Sequence, residues 1–438
     1  MSASPPISFS ALGRRAAPPI IARLMTAALE NSQLLSLAAG FTDNATLPVE
    51  PFGAAVAALT AAGGSPEPLQ YGTNQGRPGL RRLLAERLAR EEGWPADRVN
   101  PARVLVTNGS QQALYLAMQA LCDPGDIVLV DRPSYFVFLE MLRGLGVEAR
   151  SLPVGVDGRL DLPALDALLA GMGRDGSARR VKAVYVIGYF ANPSGRSLDT
   201  EEKRGLARTL TAHGLVVPTI EDAAYRQMAF DGAAGAPSLL ALPEWDAFPK
   251  LYAGTLTKPF ATGLKVGYGI CTAPEWLARM LHVKGHHDFG SANLNQAVLE
   301  RVLADGTFDA HLARIRPAYE RKMQVLHGAL VEGGLAARGW SWPQPRGGLY
   351  LWLTAPAGMD LGIDSAFYRA CVAGGVLYVP GELCYGDAAA KNTARLTFGV
   401  LAEAELREAA RRFCAVAVDG GRWTVDGGRW TVGGGRHC

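Results

Sequence analysis

The sequence has little with which to hold a metal, cross a membrane or clasp a polyanion. Only six cysteines occur in 438 residues, at 122, 271, 371, 384, 414 and 438. None forms a C-x-x-C pair, which removes the common zinc and dithiol motifs, and at this length their spread suggests reduced thiols rather than a disulfide framework. No apolar run approaches the roughly 18 residues that a bilayer span requires. The opening MSASPPISFSALGRRAAPPI has no apolar stretch behind its charges, so no secretory signal is read there. No block of like charge stands out, and the formal net charge is only +3. Neither nucleic acid nor an anionic membrane is therefore expected as a partner. No G-x-G-x-x-G follows an apolar strand, which argues against a dinucleotide fingerprint. His282, His286 and His287, in HVKGHHDFG, have no acid or cysteine to complete a site. They read as a surface or dimer-contact loop, with no metal expected. A cytoplasmic globular protein is what these absences leave.

What is present is alternation. The first 20 residues, with four prolines, read as an irregular arm, and Ile20 to Glu30 has helical spacing. GLRRLLAERLAREE, residues 79 to 92, has leucines at 80, 83, 84 and 88 and predicts an amphipathic helix. Short apolar runs then alternate with helical segments: VLVTN, DIVLVD, KAVYVIGYF, LVVPTIEDAAY, KLYAGTLT and KVGYGICT. That order predicts an α/β protein with a mostly parallel sheet covered by helices on both faces. Its chemistry is expected at the carboxyl ends of the strands. From about Asp305 a long helical stretch gives way to GGLYLWLT, GVLYVPG and ARLTFGV, which read as a smaller α+β lobe. The expected division is an N-terminal arm and helix over 1–55, a large domain over 56–304 and a small domain over 305–417. The last segment, 418–438, repeats VDGGRWT and reads as a flexible glycine-rich tail.

Two stretches carry chemistry. In AGTLTKPFATGLKVGY, Lys258 sits among small and apolar neighbours where a surface lysine would have polar company. In LVVPTIEDAAY an apolar strand ends in Glu221 and Asp222, with Tyr225 three residues on. A carboxylate buried at a strand end needs a cation, since unpaired burial costs several kcal/mol. The lysine one strand on, or a protonated pyridine ring, would suit. Gly109, Ser110 and Gln111 stand between a strand and a helix, where backbone N–H groups point at an anion. The tetrapeptide NPSG at 192 to 195 is, taken alone, a plain turn.

In this order these segments resemble the class I/II aminotransferases, pyridoxal-phosphate enzymes of fold type I, from about Ile20 to Ala417. The aminoadipate and kynurenine aminotransferase branch looks most similar. The resemblance implies a large domain with a seven-stranded, mostly parallel sheet and a smaller α+β domain. It implies that Lys258 forms the internal aldimine with pyridoxal 5′-phosphate and later shuttles a proton. Asp222 would pair with the pyridine nitrogen, while Tyr225 and Asn192 would contact the ring oxygen. Gly109, Ser110, Gln111, Thr255, Thr257 and Lys265 would hold the phosphate, and Tyr135 would stack on the ring. Tyr71 would reach the phosphate of a neighbouring subunit, which implies a homodimer. Arg395, in ARLTFG, would bind the substrate α-carboxylate, Arg23 would read an acidic side chain, and the loop around Gly40 would close over the substrate. Two positions depart from the family's pattern around the lysine: Thr262 replaces a proline and Lys265 an arginine.

An aminotransferase using 2-oxoglutarate as acceptor is the first functional expectation. The alternative keeps the cofactor and changes the reaction, to elimination, replacement or carbon–carbon bond formation, because fold does not fix chemistry. A ligand-sensing regulator on the same scaffold would need a DNA-binding module ahead of it, for which some 20 residues leave no room.

Overall fold

The computed structural model describes residues 7–20, 26, 33–230, 233, 235–419, 423–426 and 429–432. Arg23, and most of the expected helix from Ile20 to Glu30, lie outside the described residues. With strands numbered in chain order, β1 is Leu35–Ser36, β2 Val104–Asn108, β3 Ile127–Val130 and β4 Glu148–Ser151. Then follow β5 Val181–Ile187, β6 Thr219–Asp222, β7 Lys250–Thr255 and β8 Val266–Cys271. Strands β2 to β8 form one seven-stranded sheet in the order β2-β8-β7-β6-β5-β3-β4. Only β8 runs antiparallel to its neighbours β2 and β7. IVLV in β3 and KLYAGT in β7 are buried at every position, as strands covered on both faces must be.

The expected strand in LVVPTIEDAAY is shorter than its apolar run. Pro218 has no N–H to give the ladder, and β6 starts at Thr219. The edge strand β4, EARS, carries two charges and no alternation, so no apolar run marks it. The helix expected at 79–92 is Pro78–Glu91. One expectation is corrected: His282, His286 and His287 sit on a helix, Pro274–His287, whose C-terminal carbonyls favour basic side chains.

Beyond the helix Thr307–Glu332, β9 (Tyr350–Thr354), β11 (Val379–Pro380) and β12 (Thr393–Thr397) form an antiparallel sheet in the order β11-β12-β9. The short β10 (Val376–Leu377) pairs in parallel with β1. Past β1 the chain crosses the second sheet, with the Leu37 carbonyl accepting the Thr397 N–H at 2.8 Å. Asp43 anchors this strap through Lys322, 2.6 Å away. In the glycine-rich segment, β13 (Trp423–Asp426) pairs antiparallel with β14 (Arg429–Val432). Among the described residues, one of four apolar clusters runs from Leu80 and Leu84 through Tyr225 and Tyr350 to Phe398 and Phe413. The ends of both sheets are thus held against one another.

Side chains alternate along β6, so Glu221 and Asp222 part company. Glu221 accepts from Lys203 Nζ at 2.7 Å and from the Leu239 N–H at 2.8 Å. Lys203 and Glu221 are both essentially dry. Lys203→Met would strand a buried carboxylate, and a loss of about 3–5 kcal/mol is expected in the urea unfolding free energy. Removing both charges, in Lys203→Met with Glu221→Leu, should recover most of it.

Candidate active site

The carboxyl ends of β3, β5, β6 and β7 bring four polar side chains together. Asp222, at the end of β6, accepts from Tyr185 Oη at 2.8 Å and from the Ala224 N–H at 3.0 Å. It is 5% exposed. Among the described residues no lysine or arginine pairs with it, and burial raises its pKa. Asp131, just beyond β3, accepts from Ser134 Oγ at 2.7 Å and the Ile187 N–H at 3.2 Å. Burial pushes it up to about 7 despite those donors, and Asp222 adds to the rise.

Lys258 follows β7. The lysine does not pair with Asp222, as the sequence allowed; its amine donates instead to the Gly40 carbonyl of the strap. Burial, with the positive charges of Lys265 and Arg395 acting in the same sense, lowers its pKa to about 8. An amine so placed is largely neutral slightly above pH 8 and therefore nucleophilic.

On one side of Lys258 lies an anion cradle. The helix Gly109–Leu121 begins where β2 ends, at Gly109 with φ +71°, and no side chain caps it. Its first N–H groups are thereby left for a ligand. Strand β8 comes close because residue 267 is glycine; a Cβ there would collide with the backbone of Gly109 and Ser110. Thr255 and Thr257 share a 2.8 Å hydrogen bond, and both reach the Val266 carbonyl. Lys265 adopts φ +54° after the short turn Thr262–Leu264.

On the other side is Arg395 of β12, 1% exposed. Nη1 donates to Asn192 Oδ1 at 2.8 Å and Nη2 to the Ala38 carbonyl, while Nε has no partner. The guanidinium lies 4.4 Å from the Tyr350 ring centroid and 5.6 Å from that of Phe136. Tyr225 Oη and Tyr350 Oη are 2.8 Å apart.

A cavity of about 960 Å³ joins these parts. Gly40, Gln111, Tyr135, Asn192, Tyr225, Lys258, Lys265, Tyr350 and Arg395 line it. Gly109, Ser110, Asp222, Thr255 and Thr257 are not among the lining side chains, and Tyr71 stands apart, 85% exposed, its ring edge-to-face with Phe289. Tyr185, Asp131 and Tyr350 escaped the sequence reading. Asp131 ends an apolar strand as Asp222 does, and that parallel was the available signal. Tyr185 and Tyr350 look like ordinary core aromatics in KAVYVI and GGLYLW.

The donor set fits pyridoxal phosphate. A buried acid without a cation, an uncapped helix start and a depressed amine match its pyridine nitrogen, phosphate and aldehyde respectively. A family model described as aminotransferase class I and II matches residues 32–413. An aromatic-amino-acid aminotransferase of Thermococcus litoralis is 29% identical over 88% of this chain and 88% of its own. A 2-aminoadipate transaminase of Thermus thermophilus is 31% identical over 86% of this chain and 89% of its own. The crystal structure of kynurenine aminotransferase from Pyrococcus horikoshii superposes with a TM-score of 0.83 at 27% identity, covering 94% of this chain and 97% of its own.

Because only the neutral amine attacks an aldehyde, pyridoxal phosphate should be captured about tenfold faster per pH unit up to about pH 8, then at a constant rate. Stopped-flow absorbance measures this. An unperturbed lysine would keep accelerating to about pH 10, and Lys258→Ala should give no visible band.

Proposed function

The chain belongs to the class I and II aminotransferases, and on that premise we propose that it moves the amino group of a fairly large amino acid to 2-oxoglutarate. Pyridoxal phosphate would be held covalently at Lys258. The observation that carries this reading is the depressed amine of Lys258, set between the uncapped helix start at Gly109 and the guanidinium of Arg395. When bound, the cofactor supplies an electron-withdrawing ring that stabilises the charge left at the substrate α-carbon.

The protein's own groups divide the remaining work. Asp222 supplies a buried negative charge that Tyr185 and the Ala224 N–H orient. The backbone of Gly109, Ser110 and Gln111, the hydroxyls of Thr255 and Thr257 and the charge of Lys265 would hold the phosphate. Tyr135 would cover the ring face, and Asn192 and Tyr225 would meet its oxygen. Arg395 takes the substrate α-carboxylate, for which its partnerless Nε is available. Lys258, freed when substrate binds, would take the α-proton as a neutral amine and hand it on from the resulting ammonium. The strap at Gly40 excludes water above the site. Tyr71, exposed on its own chain, serves the site of a second copy in a homodimer.

Two measurements test this. A panel of amino acids added to the loaded protein without acceptor should bleach the visible band stoichiometrically for true donors, and 2-oxoglutarate should restore it. Bleaching that no 2-oxo acid restores would favour elimination or condensation chemistry instead. Arg395→Ala should lower kcat/KM for the best donor by about a hundredfold or more, since two charge-assisted hydrogen bonds to the carboxylate are lost.

A further inference from the structure

Tyr350 holds a place that neither the fold nor the anion cradle explains. It opens β9, and the β9–β12 register sets Trp352 opposite Arg395 and Tyr350 opposite Thr397. On one face of that sheet Tyr350 is therefore the diagonal neighbour of Arg395. Its ring packs under the guanidinium, 4.4 Å from centroid to Cζ, and edge-to-face on Tyr225 with centroids 5.6 Å apart. Its hydroxyl meets Tyr225 Oη at 2.8 Å, and the strap passes so close that a Cβ on Gly40 would stand 3.1 Å from it. Tyr350 is 1% exposed and Tyr225 6%. A leucine or phenylalanine would fill such a position without placing a hydroxyl in a dry core.

Two hydroxyls in contact have two protons, and only one lies between them. The positive charge of Arg395 against the Tyr350 ring withdraws electron density and makes that phenol the better donor of the pair. Tyr350 then gives its proton to Tyr225 Oη, and the proton of Tyr225 is directed away, into the cavity. We propose that Tyr350 is a positioning residue for amino transfer: it donates to Tyr225, commits the Tyr225 proton to the cofactor's ring oxygen, and seats Arg395 for the substrate carboxylate. The proposal rests on the pyridoxal-phosphate reading of the site. A hydrogen bond received by Tyr225 strengthens the one it gives, so the pair acts as a relay from the carboxylate subsite to the cofactor subsite.

The test is Tyr350→Phe, which keeps the ring and removes one oxygen. The protein is loaded with pyridoxal phosphate and the pH midpoint of its visible band is read by absorbance, with no turnover involved. A weaker donor at the ring oxygen leaves more electron density in the bound chromophore, so its proton is held more tightly. The midpoint should rise by about half to one pH unit, the scale of one polarised hydrogen bond. Tyr225→Phe should raise it further, and adding Tyr350→Phe to that variant should change nothing more. KM for the amino donor should change little in Tyr350→Phe, which keeps the ring under Arg395, and rise a few-fold in Tyr350→Leu, which removes it. An unmoved midpoint in a Tyr350→Phe protein that still forms the band would overturn the relay and leave the cofactor reading standing. Additive shifts of the two variants would overturn it equally. If the native protein formed no visible band, the cofactor reading and the relay would fall together.

Discussion

The Asp222 carboxyl stands at the end of a central strand with Tyr185 and one backbone N–H as its donors and, among the described residues, no basic side chain paired with it. A buried carboxylate in that state costs several kcal/mol unless a cation arrives or the group stays protonated. Asp131, at the end of β3 two strands over, makes the demand sharper, because the Asp222 charge adds to the rise of its pKa. The parallel sheet creates this situation, since β3 and β6 both deliver acids at their carboxyl ends on one edge of the layer. A ligand carrying one positive charge relieves it. Everything else at the site is consistent with a ligand that is cationic at that end and anionic at the other, where a helix starts without a cap.

Legibility followed burial. Apolar strands covered on both faces are visible in sequence as unbroken runs, which is why β3, β5, β7 and β8 were readable while the polar edge strand β4 was not. Lys258 and Asp222 were readable because a charged residue closing or following an apolar strand has a cost that must be met somewhere. Glu221 shows the limit of that argument. It shares the same strand end, yet its charge is met by Lys203 on the opposite face, and only the alternation of β6 tells the two acids apart. Tyr185 and Tyr350 were hidden for a different reason. A tyrosine in a buried run satisfies the hydrophobic pattern with its ring, and the partner of its hydroxyl is set by strands far away in sequence, a separation of 125 residues in the case of Tyr225 and Tyr350. The three histidines of HVKGHHDFG misled because glycine and paired histidines suggest a loop, whereas Pro274 at the helix start and the basic last turn support a helix.

The departures at Thr262 and Lys265 acquire a physical meaning from the same charges. Residue 265 sits at φ +54°, after a turn that Thr262 opens, and its side chain reaches the cavity that Lys258 enters. A lysine there forfeits the rigid fork with which arginine grips an oxyanion. What it retains is a positive charge close enough to depress the Lys258 amine, second only to burial in doing so. An oxyanion bound at the uncapped helix start would take its direction from the backbone N–H groups there, so the loss of the fork would cost it less. At Lys258 direction matters little, since a through-space charge favours the neutral amine from any side. A lysine at 265 would thus be weakest in a task that the backbone could perform, and it suffices for lowering the Lys258 amine.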